Sequence, residues 1–125
     1  MLSGKGETIL VIEDEISLAQ MVAISLNSNG YKTLVANNGE EGMELYRQRC
    51  KEIDLVLTDM DLPGISGFAM FQKMLEMNPD VKLIFASGFV EPELKSWMFS
   101  LGAKDFFAKP YRPDDLLVKI RKALD

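Results

Sequence analysis

Three segments of this chain, residues 8–12, 55–58 and 81–86, are almost unbroken apolar runs with no alternation of apolar and polar positions. A strand with one face in water alternates. A strand apolar on both faces has to be covered on both, which is the situation in a parallel sheet sandwiched between helices. Two weaker segments, residues 32–36 and 106–108, read as further strands of the same sheet.

Between these segments the apolar period changes to that of a helix. Leu18, Val22 and Leu26 recur at four-residue spacing within residues 16–27, with Ala19 and Ala23 beside them, and Asn29-Gly30 supplies a stop. Met43 and Tyr46 share a face within residues 39–48. Ser66 is suited to cap a helix carrying Phe68, Phe71 and Leu75, which Asn78-Pro79 ends. Residues 91–101 carry Leu94, Trp97, Met98 and Leu101, with Gly102 as the stop. Pro113 suits the first turn of a last helix bearing Leu116, Leu117, Ile120 and Leu124. Five strand–helix units in strict alternation predict an α/β fold: a doubly wound, five-stranded parallel sheet with right-handed crossovers and helices on both faces.

At 125 residues, 47% of them hydrophobic, the chain has the content for one core. Residues 1–6 are polar and Gly-rich and read as a disordered lead-in or linker remnant, which leaves residues 7–125 as the domain. No apolar run approaches the roughly 20 residues that a spanning helix needs. Nothing near Met1 reads as a signal peptide, so a cytoplasmic location without membrane insertion is expected. The chain has no histidine and one cysteine, Cys50. That excludes histidine-based nucleophile activation, imidazole metal sites, thiolate clusters and internal disulfides. A formal net charge of −5 gives no electrostatic case for nucleic acid. Chemistry here rests on carboxylates, hydroxyls, lysines or a bound metal.

Such groups collect at the strand ends. The first strand runs into Glu13-Asp14, the third into Asp59, the fourth into Ser87 and the fifth into Lys109. In an open α/β sheet, ligands bind beyond the carboxyl ends of the strands. Three carboxylates on one rim need a counter-ion, and a hard divalent cation with oxygen ligands suits them, Mg²⁺ best. A carboxylate can also attack phosphorus to give an acyl phosphate, whose oxygens then need an ammonium, a hydroxyl and a metal. Each residue also has a simpler role open to it. Asp59 could form an Asx turn into Leu62-Pro63-Gly64, Glu13-Asp14 could cap the first helix, and Phe106 could be plain core.

Four stretches carry a resemblance. They are Ile9-Leu10-Val11-Ile12-Glu13-Asp14-Glu15, Leu55-Val56-Leu57-Thr58-Asp59-Met60-Asp61-Leu62-Pro63-Gly64-Ile65-Ser66-Gly67, Phe85-Ala86-Ser87-Gly88 and Gly102-Ala103-Lys104-Asp105-Phe106-Phe107-Ala108-Lys109-Pro110. In this order the chain resembles the receiver domain of two-component response regulators, a CheY-like, flavodoxin-like fold, from about Glu7 to Leu124. The resemblance implies phosphorelay signalling, with Asp59 as phosphoacceptor and Mg²⁺ (or Mn²⁺) held by Glu13, Asp14, Asp59 and the backbone carbonyl of Met60. It implies that Ser87 and Lys109 bind the phosphoryl group. It also implies that Ser87 and Phe106 switch together, altering the surface of the fourth helix, fifth strand and fifth helix. The Lys109–Pro110 peptide would be cis.

The implied partners are a histidine kinase or histidine phosphotransfer domain as donor, and a downstream effector or a covalently attached output or kinase domain as receiver of the signal. Such a domain is a switch rather than an enzyme, with at most self-catalysed phosphotransfer and autodephosphorylation. Two alternatives stay open. Asp59-Met60-Asp61 also resembles the nucleophile motif of haloacid-dehalogenase-type phosphatases, although that motif usually ends the first strand. A receiver fold that no longer accepts phosphate is the other. Glu13 stands where many receivers have Asp, Asp61 adds a further acid near the site, and Phe89 is expected to hinder access at its mouth.

Overall fold

A computed structural model describes residues 3–88, 90–109 and 112–125. Five strands and five helices alternate: β1 Thr8–Ile12, α1 Ile16–Ser28, β2 Lys32–Ala36, α2 Gly39–Arg49, β3 Ile53–Asp59, α3 Gly67–Met77, β4 Leu83–Ser87, α4 Pro92–Ser100, β5 Asp105–Ala108 and α5 Pro113–Leu124. All pairings are parallel, in the order β2-β1-β3-β4-β5. The chain winds from β1 outward to β2, returns to β3 on the other side of β1, and continues outward. The ends of β1 and β3 therefore flank the point where the winding reverses, which is where a crevice opens in such sheets.

The pleat divides the apolar residues between two cores. Leu10, Ile12, Val56 and Phe85 face one side, where Met43 and Tyr46 of α2, Met70, Phe71 and Met74 of α3 and Met98 of α4 cover them. Ile9, Val11, Leu55, Leu57 and Ile84 face the other, under Val22 and Leu26 of α1 and Leu116, Leu117 and Ile120 of α5. Residues adjacent in sequence thus enter opposite cores, which is why the middles of the central strands, Ile9–Ile12, Leu55–Leu57 and Leu83–Ala86, are apolar throughout.

Local signals set several helix ends, Ser66 and Pro113 among them as expected. Ser66 Oγ accepts the Ala69 N–H at 3.1 Å, and Asn38 Oδ1 accepts the Glu41 N–H at 2.8 Å. Pro113 opens α5, with Asp114 and Asp115 in its first turn and Arg121 and Lys122 in its last, complementing the helix dipole. Gly102, at φ +115°, turns the chain out of α4.

Two helical faces differ from the sequence expectation. In α3 the buried stripe is Met70, Phe71 and Met74, while Phe68 and Leu75 flank it half-buried. The close seating of Gly67 on β3, described below, sets that rotation. In α4 only Met98 is buried; Leu94 and Trp97 are exposed, and Trp97 leans on the Phe68 ring with centroids 5.0 Å apart. β4 starts at Leu83 rather than Val81, because the Val81 N–H is used in a turn to the Asn78 carbonyl. β3 runs to Asp59, so the acid itself lies in the strand.

The stretch from Ser3 to Glu7 runs beside the α1–β2 connection. Gly6 N–H donates to Gly30 O at 2.9 Å, and Lys32 N–H donates to Glu7 O at 2.9 Å. Arg121 of α5 closes over it. Its guanidinium lies 2.6 Å from Glu7 Oε2 and 2.8 Å from Asp125 Oδ1, and it also donates to the Ser3 carbonyl.

Candidate functional site

Each strand delivers its polar group by running out of apolar residues at the same rim. β1 ends at Ile12, and the Glu13 N–H continues the ladder to Ala36 O at 3.0 Å, which fixes the Glu13 backbone. Glu13 is fully buried and Asp14, one residue on, is exposed. Asp59 pairs with Ala86 in the β3–β4 register and is 2% exposed. Ser87 ends β4, pairs with Ala108 of β5 and is buried. Lys109 follows β5, its backbone N–H held by Ser87 O at 3.0 Å. Phe106 is buried further back on β5, stacked on Phe85 at 5.5 Å and edge-on to Phe99 at 5.1 Å.

The side chains converge on one small volume. Glu13, Asp14 and Asp59 each offer a carboxylate oxygen, and these oxygens lie within 4.8 Å of one another. The Lys109 ammonium sits 2.7 Å from Asp59 Oδ1 and 3.0 Å from Glu13 Oε1. Lys109 is the cation facing Glu13 Oε1 and Asp59 Oδ1, and Asp59 Oδ2 is buried with no hydrogen-bond donor among the described residues. Glu13 Oε2 accepts the Glu15 N–H at 3.1 Å. Buried carboxylate oxygens lacking donors are costly unless something positive reaches them.

The electrostatics follow from that geometry. Burial pushes the Asp59 carboxyl up to about 8, and the neighbouring Glu13 adds to the rise against the opposing pull of Lys109. Burial also opposes ionisation of Glu13. The contact with Asp59, the Glu15 N–H and Lys109 outweigh it, and the Glu13 carboxyl lies below its ordinary value. Ionisation of the two neighbouring carboxyls is thus coupled, with Asp59 the harder of the two to ionise. Burial would lower the Lys109 ammonium, yet Asp59 and Glu13 together hold it above the usual lysine value. One ammonium cannot balance three acids. An oxygen-seeking divalent cation beside Asp14 would complete the charge and occupy the unmatched oxygens, so the donor set fits Mg²⁺ or Mn²⁺.

The structure brings together Glu13, Asp14, Asp59 and Lys109, and sets Met60, Ser87 and Phe106 on the adjoining backbone. Asp61 is exposed on the loop after β3. Phe89 and the Lys109–Pro110 peptide, on which expectations were placed, lie outside the described residues. Two supporting residues went unassigned in the sequence. Asn37 donates from Nδ2 to the Glu13 carbonyl at 3.2 Å. Its signal was its place after β2, a strand end that contributes no acid. Gly67 lies against the Asp59 backbone. It stands within the Asp59-to-Gly67 stretch, but nothing in the sequence separates a close approach from a helix start.

The sequence model of the response regulator receiver domain matches residues 9–121. The chain belongs to that family. Among curated relatives, the receiver is 31% identical over 121 residues to the phosphate regulon transcriptional regulatory protein PhoB of Pseudomonas aeruginosa, covering 95% of this chain and 52% of that protein. It is 28% identical over 123 residues to the chemotaxis protein CheY of Treponema pallidum, covering 98% and 85% respectively. Among solved structures it superposes on a response regulator receiver domain protein from Clostridium thermocellum with a TM-score of 0.88 at 29% identity, covering 94% of each chain. The receiver spans about half the length of the first curated relatives it matches. No helix among its described residues is long and apolar enough to cross a membrane.

Proposed function

We propose that this receiver is a phosphoacceptor switch in which Asp59 takes a phosphoryl group from a phosphohistidine of a histidine kinase or histidine phosphotransfer domain. The observation that carries the reading is the buried Asp59 carboxyl at the strand-end rim, flanked by the Lys109 ammonium and the acids Glu13 and Asp14. An Asp59 oxygen attacks phosphorus, the phosphorus–nitrogen bond breaks, and the imidazole leaves with the electron pair. A cation held by Asp14, Asp59, the Met60 carbonyl and Glu13, the last directly or through water, would neutralise charge on the phosphoryl oxygens. Lys109, already beside Asp59, is placed to follow the charge onto the phosphoryl group. Ser87 on the next strand supplies a hydroxyl at the same rim.

The output is a change of surface. Phe106 connects the Phe85 core to Phe99 on α4, an element anchored by one buried residue. Moving Ser87 toward a phosphoryl group would bias that aromatic contact and the α4–β5–α5 face. A downstream effector or a covalently attached output or kinase domain would read it.

Intact mass after incubation with a small acyl phosphate and Mg²⁺ tests the reading. One phosphate-sized gain is expected in the wild type and none in Asp59→Asn. No gain in the wild type, or an equal gain in both, overturns it. Steady turnover of small phosphomonoesters would favour the phosphatase alternative instead.

A further inference from the structure

β5 is an edge strand of four residues, and α4 beside it buries a single side chain. The edge is therefore left open between α4 and α5. At the end where the strands start, the opening is a cavity of about 390 Å³. Four lysines line it. Lys82 precedes β4, Lys104 precedes β5, and Lys119 and Lys122 lie three residues apart on α5. Phe99 of α4 forms part of the wall.

Two carboxylates reach the same cavity, and both are already engaged. Asp105 Oδ1 lies 3.1 Å from the Lys119 ammonium, and Asp125 Oδ1 lies 2.8 Å from the Arg121 guanidinium. Two of the ammoniums are held in place by backbone. Lys119 donates to the Phe106 carbonyl at 2.9 Å, and Lys82 donates to the Leu124 carbonyl at 2.9 Å. Lys104 and Lys122 are exposed and pair with no carboxylate among the described residues. In a chain of net charge −5, this is a local excess of positive charge. Like charges around one concavity repel, and they focus their field on whatever enters it.

The shape and the charges select the occupant. Pockets for small ligands run to roughly 300–1,000 Å³, and this cavity falls in that range. A protein partner needs a desolvated apolar anchor, and the apolar lining here is Phe99 and Ala123 alone. A singly charged group would balance little of the excess. A chain of phosphates puts several charges within a few ångströms, and ammoniums take phosphate oxygens as point charges. We propose that the Lys82–Lys104–Lys119–Lys122 cavity is a binding site for a diphosphate or triphosphate group, free or carried on a nucleotide. The site lies at the end of the sheet opposite Asp59 and does not rest on the phosphoacceptor reading.

The test is an NMR titration of backbone amides in the full chain with inorganic pyrophosphate. Divalent cation is left out, so the probe does not report through the acids at the other rim. Saturable shifts are expected at Phe99, Lys104, Lys119 and Lys122. Lys104→Gln combined with Lys122→Gln should weaken binding at least tenfold. Lys51→Gln combined with Lys73→Gln makes the same change of net charge at exposed positions elsewhere, and should leave binding within twofold. ATP distinguishes the sources. Tighter binding of ATP than of pyrophosphate supports a nucleotide, its base against the exposed Phe99 ring; equal binding supports a site that reads the phosphates alone. No saturation in the millimolar range overturns the proposal, as do shifts centred on Ser87 and Lys109 or equal losses in the two double variants. Sulfate binding as tightly as pyrophosphate also overturns it, and so does tighter binding of a poly-aspartate peptide, which would mark a docking surface for an acidic protein.

Discussion

Replacing Asp59 with Asn should stabilise the metal-free protein. An unfolded chain releases the Asp59 proton at an ordinary 3.8, whereas the folded chain holds it up to about 8, because the carboxyl is buried beside Glu13. Between those values the folded state binds more protons than the unfolded one, so stability contributed at this position falls as pH rises. The penalty is absent below about pH 4 and complete above about pH 8. At about 1.4 kcal/mol per pH unit it has a ceiling of ~4 kcal/mol at pH 7. Asn removes the charge but also gives up the contact with Lys109, which is worth about 1–2 kcal/mol. A net gain of ~2 kcal/mol, or about 8 °C in melting temperature, is expected at neutral pH.

The assay is thermal unfolding of wild type and Asp59→Asn from pH 4 to 9, without divalent cation. Titrating groups outside the cluster are common to both proteins, so the difference between the curves isolates Asp59 and the two groups coupled to it, Glu13 and Lys109. The gap should be small near pH 4, widen through neutrality and level off above pH 8. Saturating Mg²⁺ should narrow it, since a cation stabilises the ionised wild-type cluster more than the variant. A gap that does not vary with pH, or an Asp59→Asn protein less stable than wild type at pH 8, would refute the electrostatic argument.

Arg121→Met should cost about 1–3 kcal/mol in urea unfolding, because Glu7 and the Ser3 carbonyl lose their shared partner. Combined with Glu7→Gln, the loss should be less than the sum of the two single variants. The Glu7 carboxyl is lowered chiefly by its hydrogen bond to Arg121. Its stabilisation is therefore present above 4.5 and lost as pH falls through the lower folded value, so Glu7→Gln should flatten the acid limb of a stability–pH curve. Asp14→Asn should reduce Mg²⁺ affinity at least tenfold while shifting metal-free stability by less than ~0.5 kcal/mol, since the side chain is exposed. Phe71→Ala should cost about 3–5 kcal/mol, because the ring is fully buried against Phe85.

The fold was legible because its central strands carry the constraint. Burial on both faces leaves Ile9 to Ile12 no polar position, and that pattern survives any detail of packing. The converging rim was legible because strand ends are topologically equivalent points in a parallel sheet. Helix faces were less so. The period of α3 permits either Phe68-Phe71-Leu75 or Met70-Phe71-Met74, and Gly67 against β3 decides between them. In α4 the sequence offers an apolar stripe that the sheet does not cover, since β5 is short and lies at the edge. Glu13 and Asp14 look alike in sequence, yet one is buried and the other exposed. The difference is the last ladder bond, which turns Glu13 inward beneath Lys109.

The two ends of the sheet serve opposed requirements. At the strand starts, the Arg121 guanidinium is hydrogen-bonded to both Glu7 and Asp125. At the strand ends, three acids face one ammonium, with buried oxygens left unmatched. A mismatch of this kind destabilises the fold, and it persists only because the two apolar cores behind it are continuous. It also makes the rim responsive. A cation or a phosphoryl group arriving there changes the balance by whole charges, whereas the same arrival at a fully paired site would change little. The nearby element with the weakest hold is α4, with one buried side chain and the Phe99–Phe106 contact as its link inward. Filling the rim with a neutral, well-packed substitute would therefore raise stability and remove the driving force for any rearrangement of α4. The Asp59→Asn experiment reads both sides of that opposition in one protein.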